Sequence, residues 1–377
     1  MKVVIAPDSF KGSLSAKKVA DAIESGLLRV NPCIETIKIP MADGGEGIVE
    51  SLIEGSGGRV LSVGVHDPLM RPIEAVYGIM GDGVTAVIEM AKASGLPLLS
   101  AKERNPMLTT TYGTGELILD ALNQGCTRMI IGLGGSATND GGQGMLCALG
   151  VQFLNEEGQP IALGGGALGT LARIDVSCLD KRIATCDIVV ACDVSNPLIG
   201  VTGATHVFSR QKGADDEMIL ALERNMTLYG ERIYQTLGIS VNELPGAGAA
   251  GGMGAAVTAF LGGALKRGID IVIEASGLES AIRSADLVIT GEGSMDHQTL
   301  YGKVPSGVAK LAQQYGKPVI GIAGGLGDGA EQLYGHGFKA LFSIVDRPMS
   351  LEEAMAHAEE LLSRAAERMM RTIMIEL

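Results

Sequence analysis

Acidic, lysine and hydroxyl side chains recur in this chain directly after short apolar runs, in loops crowded with glycine. Asp8, Ser9, Lys11 and Ser13 follow the run at residues 3–6. Asp43 and Glu46 stand among Gly44, Gly45 and Gly47. Gly134, Gly135, Ser136, Thr138, Asn139 and Asp140 follow residues 129–131. Asp193 follows residues 188–191, and Glu292, Asp296, Gln298 and Lys303 follow residues 287–290. Glycine lets a backbone approach a ligand closely with its N–H groups turned inward, which suits an anion. Carboxylates hold Mg²⁺ or take a hydroxyl proton, and a lysine neutralises moving charge. That inventory is the one phosphoryl transfer requires. Plainer readings exist for single members: Lys11 or Lys303 alone is an ordinary solvated lysine, and Asp193 can cap a turn with Asn196-Pro197.

These residues need elements to hold them. Residues 3–6, 35–39, 287–290, 319–323 and 341–345 read as short strands, and those rich in β-branched residues suit a sheet buried on both faces. Ser15 is a good N-cap for a helix over about 16–30. Between the first and last groups the pattern changes: residues 59–65, 73–79 and 85–90 read as an antiparallel meander. Two early strands and three late ones are too few apart, and together give the flavodoxin-like five. The expected fold is therefore α/β: a discontinuous, flavodoxin-like doubly wound parallel-sheet domain over 1–65 and 280–377, with a mixed α/β domain inserted over 66–279. A helix is expected over 216–237, and a small-residue helix running to residue 265 after the glycines at 246–254. The last helix, over 351–373, reads as a packing face through Leu351, Met355, Ala358, Leu362, Ala365 and Met369.

Composition narrows the functions. The net charge of -13 disfavours nucleic acid and anionic membranes as partners. With no Trp, six Phe and seven Tyr, stacking platforms for bases are scarce. The 54 glycines are about twice the usual share of roughly 7%, and no repeat accounts for them, so the excess falls in loops. Six cysteines without paired spacing read as free thiols of a reducing compartment. The chain enters a strand at residue 3 and has no long apolar run, so a cytoplasmic protein is expected. The five histidines are scattered, and only His297 lies in a candidate loop, where a surface histidine is the plainer reading. A Walker loop is missing. Gly132-x-Gly134-x-x-Ala137 and Gly246-x-Gly248-x-x-Gly251 match the dinucleotide fingerprint, which keeps a nicotinamide-dependent oxidoreductase of a small hydroxy acid as an alternative. A non-catalytic binding protein for a sugar acid is a second rival.

As a set, the loops resemble the type 1 glycerate kinases, a bacterial family. The matching segments are APDSFKGSLSA (6–16), ADGGEG (42–47), EMAKASGL (89–96), GTGELI (113–118), GGSATNDGG (134–142), CDVSNPL (192–198), QKGA (211–214), PGAGAAGGMG (245–254), TGEG (290–293) and GKVP (302–305). They fall in order along essentially the whole chain. The resemblance implies ATP- and Mg²⁺-dependent phosphorylation of D-glycerate to 2-phosphoglycerate in an interdomain cleft, with a glycerate 3-kinase as the nearby alternative. The implied partners are small molecules, glycerate and ATP, with no nucleic acid, no membrane, and a homo-oligomer allowed. The roles expected are these. Asp193, Asp296 and Lys11 act in catalysis. Asp8, Ser9, Ser13, Lys212, Gly134, Gly135, Ser136, Thr138, Asp140, Gly251, Gly252, Gln298 and Lys303 bind substrate or phosphate. Asp43 and Glu292 hold the metal. Against the family pattern, Ser294 stands where Arg is expected, Ser209-Arg210 where Gly-Pro is usual, and Ile48 where Thr is.

Overall fold

The computed structural model describes residues 1–42 and 47–375. The chain divides into two compact units, Met1–Asp43 with Ile269–Leu377, and Gly44–Gly268.

In the first unit, five parallel strands lie in the order Phe338–Ser343, Val319–Ala323, Leu287–Thr290, Lys2–Ile5 and Glu35–Lys38. Counted in chain order within the unit, this is the flavodoxin-like arrangement 2-1-3-4-5. Val3, Val4, Ile5, Val288 and Ile289 have no exposed surface, as strands covered on both faces require. At the edge, Lys38 is paired with Asp21 and Glu24 of the helix Ala16–Val30, which blunts the open strand with charge. That helix starts where Ser15 accepts the N–H of Lys18. It packs along Ala358–Ile373, and a Cβ on Gly26 would lie 2.3 Å from the Ser363 carbonyl oxygen. Only glycine permits that approach. The expected single C-terminal helix is two, Leu351–Ala356 and Ala358–Ile373, parted at His357. Ala358, Leu362, Ala365 and Met369 pack in the core, whereas Leu351 and Met355 do not.

The second unit has a six-stranded mixed sheet in the order Ala264–Lys266, Asp187–Ala191, Arg128–Gly132, Thr85–Glu89, Pro72–Ile79 and Arg59–His66. The first four strands are parallel, and the last three form the antiparallel meander. Arg59–His66 pairs along its whole length with Pro72–Ile79, so it belongs to this sheet rather than to the unit that the sequence boundary at residue 65 gave it. Ala264–Lys266 was not expected as a strand. The small-residue helix Ala249–Leu261 ends at Gly262, whose φ of 65° closes it and frees the following residues to pair with Val189–Ala191. All six cysteines are free thiols. Among the described residues, no helix is long and apolar enough to cross a membrane.

Candidate active site

In a parallel sheet the loops leaving the strand carboxyl ends build the ligand site. Each unit has such a cavity.

The cavity of the first unit measures about 640 Å³. Asp8, Ser9, Lys11 and Ser13 line it from the loop after Lys2–Ile5, and Glu292, Ser294 and Lys303 from the segment after Leu287–Thr290. These two strands are adjacent, and the sheet's winding reverses between them. The Asp8 carboxylate accepts the N–H of Ser9 at 2.6 Å. Glu292 accepts from the Thr299 hydroxyl at 2.7 Å and stands 3.4 Å from the Lys303 ammonium. Burial raises its pKa above the ordinary carboxylate value, against the pull of Thr299 and Lys303. Phe10, Met349, Leu351 and Met355 form an apolar side of the same cavity.

The second cavity, about 350 Å³, is lined by Gly134, Gly135 and Ser136 after Arg128–Gly132, by Asp193 after Asp187–Ala191, and by Lys212. Leu96, Phe208, Gln211 and Ala250 complete its wall. Lys212 is 1% exposed, and its ammonium donates to the Ser136 hydroxyl at 2.8 Å and the Thr138 carbonyl at 2.7 Å. Both acceptors are neutral. Desolvation by burial therefore wins and lowers the lysine pKa to about 7, with Asp140 pulling weakly the other way. An ammonium has three donors, so one is left for a ligand. The wall behind it turns on backbone geometry. Ala250, Gly251 and Gly252 have φ of 52°, 66° and 93°, a left-handed bend inside the helix segment. A Cβ on Gly251 would lie 2.1 Å from the Thr138 carbonyl oxygen.

The structure separates the expected site residues into three groups. Asp8, Ser9, Lys11, Ser13, Glu292 and Lys303 meet in the first cavity, and Gly134, Gly135, Ser136, Asp193 and Lys212 in the second. Others hold loops. Asp140 is fully buried, accepting from the Thr110 and Thr111 hydroxyls and the N–H groups of Thr111, Gly142 and Gly144. Asp296 caps the short 3₁₀ turn His297–Leu300 by accepting the Gln298 N–H at 2.7 Å, and neither Asp296 nor Gln298 lines the cavity. Thr138 lies behind Lys212, and Gly251 and Gly252 form the left-handed bend. Asp43 lies outside the described residues. Among those described, no group of three or more His, Cys, Asp or Glu is placed to hold a metal. Asp193 accepts the Gly268 N–H at 3.0 Å.

Sequence reasoning did not single out Glu89, which is 4% exposed and accepts the N–H groups of Gly47 and Val49 at 3.0 and 3.1 Å. It anchors the helix Ile48–Ser56, and its place at the end of the strand Thr85–Glu89 was the available signal. Ala250 gave none, because a left-handed alanine is uncommon.

With this geometry in place, comparison with known proteins is informative. The model of the glycerate kinase family matches residues 3–374. A glycerate kinase of Bacillus subtilis (strain 168) is 53% identical over 366 residues, covering 97% of this chain and 96% of that protein. A glycerate 2-kinase of Escherichia coli (strain K12) is 51% identical over 375 residues, covering 100% and 98%. A crystal structure of a Salmonella typhimurium LT2 protein, 51% identical, matches with a TM-score of 0.92 over 99% of this chain and 98% of the other.

Proposed function

Because the chain belongs to the glycerate kinase family, we propose that it transfers the γ-phosphoryl group of ATP to D-glycerate, giving 2-phosphoglycerate and ADP. The observation that carries the reading is Lys212, a buried ammonium with neutral partners beside a glycine loop, open to a small cavity. A carboxylate placed there gives the ammonium the anionic partner that its two neutral acceptors do not supply, and the preorganised donors need no rearrangement to receive it.

In this mechanism glycerate's carboxylate lies on Lys212 and the N–H groups near Gly134 and Gly135. Asp193, in the same cavity, takes the proton of the attacking hydroxyl. That oxygen bonds to the γ-phosphorus while the bond to the ADP oxygen breaks. Asp193 suits the base role better than Asp296 because it lines the cavity that holds Lys212, whereas Asp296 lines neither cavity. Lys11 and Lys303 offset charge on the phosphates. Magnesium commonly takes one or two protein carboxylates along with phosphate oxygens and water, and the buried pair Asp8 and Glu292 fits that demand. Asp8 and Glu292, with the expected ligand Asp43, would hold the ion, which would neutralise phosphate charge when bound.

The test is ³¹P NMR of the protein with ATP, Mg²⁺ and D-glycerate. A phosphomonoester signal matching 2-phosphoglycerate is expected. A signal of 3-phosphoglycerate alone would overturn the choice of hydroxyl, and no phosphomonoester would overturn the kinase. Lack of any NADH binding would remove the oxidoreductase that the glycine fingerprints allow.

A further inference from the structure

A three-carbon hydroxy acid is polar throughout, and neither it nor a phosphate accounts for the apolar side of the first unit's cavity. That cavity is nearly twice the volume of the one holding Lys212, about 640 against 350 Å³. One end is charged, through Asp8, Glu292 and two lysines. The other is apolar, and two of its side chains stay open to water: Leu351 is 71% exposed and Met355 36%. A bond across the cavity ties the two ends, as the Ser13 hydroxyl donates to the Met355 carbonyl at 2.9 Å. Exposed apolar residues rimming a cavity with convergent charges are the mark of a small-molecule site for an amphiphile. The site also sits where the winding of the sheet reverses, between the strands Lys2–Ile5 and Leu287–Thr290.

We propose that this cavity is the nucleotide site, with the purine against Met349, Leu351 and Met355 and the phosphates toward Lys11, Ser13 and Lys303. The inference rests on the kinase reading above and adds to it which unit takes ATP. The charge pattern agrees. Two buried carboxylates beside two lysines would repel a bare polyphosphate, and they suit one that carries its divalent cation. Among the described residues the smaller cavity lacks such a pair: Asp193 is the one carboxylate in its lining, and its lysine has neutral partners.

The experiment uses the full chain. Binding of Mg·ATP is measured by calorimetry for the wild type, for Leu351→Asp with Met355→Asp, and for Lys212→Met. The double variant, at partly exposed positions, is expected to bind Mg·ATP at least tenfold more weakly, with an unchanged Tm and a glycerate KM within twofold. Lys212→Met is expected to bind Mg·ATP as the wild type does. Photolabelling with 8-azido-ATP and peptide mapping gives a second readout. Label in the segment 345–358 supports the assignment, and label in 133–139, 208–214 or 249–254 overturns it. Unchanged ATP affinity in the double variant, or a wild type that binds no nucleotide, overturns it as well. A wild type that binds ATP in this cavity but leaves glycerate unphosphorylated would sink the glycerate reading and keep the site.

Discussion

The two cavities treat their lysines in opposite ways. In the first unit, the side chain of Lys303 keeps about a third of its surface exposed, at 32%, and stands 3.4 Å from Glu292, so its charge already has a counter-charge. In the second, Lys212 is 1% exposed and touches only a hydroxyl and a carbonyl. A paired lysine is a stable part of the apo protein, and a ligand that displaces its partner gains little. A buried lysine with neutral partners is costly until an anion arrives, so the anion gains most of what the lysine lost on burial. In the proposed mechanism the same residue type therefore serves as a general electrostatic background in one unit and as a specific receptor in the other.

The sharpest way to break this contrast is to remove each ammonium. Lys212→Met is expected to lower kcat/KM for glycerate by about 100-fold or more, the usual cost of losing a buried charge pair. Lys303→Met is expected to cost roughly tenfold at most. Equal losses in steady-state assays would dissolve the distinction. Lys212→Met should also raise the Tm at pH 6 to 7 in a thermal melt, because it deletes an uncompensated buried charge. A lowered Tm would mean that Lys212 is part of the scaffold rather than a receptor.

Acidity separates the two lysines next. The pKa of Lys212 falls from 10.5 to about 7 in the folded protein. Between those values the unfolded chain holds a proton that the folded chain has released. From this group alone, stability rises with pH from about 7 to about 10.5, and the full burial penalty applies below 7. Anion binding needs the proton back, so glycerate affinity should weaken above pH 7, approaching tenfold per pH unit at the limit. Calorimetric titration of glycerate at pH 6, 7.5 and 9 checks this, and a flat profile would contradict it. The same titration in Asp193→Asn, expected to bind glycerate while losing turnover by about 100-fold, separates holding the acid from deprotonating it.

A third test concerns the walls. Side chains make the apolar wall of the first cavity, whereas backbone conformation shapes the second. Gly251→Ala should cost about 1–3 kcal/mol in urea unfolding, since its φ of 66° is strained for alanine and its Cβ would meet the Thr138 carbonyl. An unchanged midpoint would show that the left-handed bend relaxes freely. The smallest effect is expected from Ser294→Arg, which adds to the first cavity the cation that the resemblance leads one to expect. Near an already paired lysine, a partly solvated guanidinium should lower the ATP KM by roughly threefold or less.

Much of the architecture was legible because it is written in short apolar runs. Val3 to Ile5, Leu287 to Ile289 and Val319 to Ile322 have few conformational alternatives to a covered parallel strand, and the flavodoxin-like order follows from the way that such strands wind. The strand Ala264–Lys266 was hidden, since Gly262 and Gly263 look like a continuation of a glycine-rich helix. At the two cavities, residue type marked loops that line them but not which way each side chain turns. Asp140 and Asp193 look alike in sequence. One is spent on five loop donors, and the other lines a cavity. The divided role of Leu351 and Met355, set apart from the packed face by the break at His357, depends on tertiary packing that periodicity does not record.

The discontinuous sheet also bears on synthesis. Lys2–Ile5 leaves the ribosome before the other strands of its sheet, yet it lies between Glu35–Lys38 and Leu287–Thr290. The helix Ala16–Val30, with its groove at Gly26, waits still longer for Ala358–Ile373. At roughly 5–20 residues per second, one edge of the apolar strand and the helix face stay uncovered for tens of seconds while the unit Gly44–Gly268 is made and has time to fold. The nascent chain thus has a built-in period of vulnerability, in which its earliest segment is a natural client for a holding chaperone.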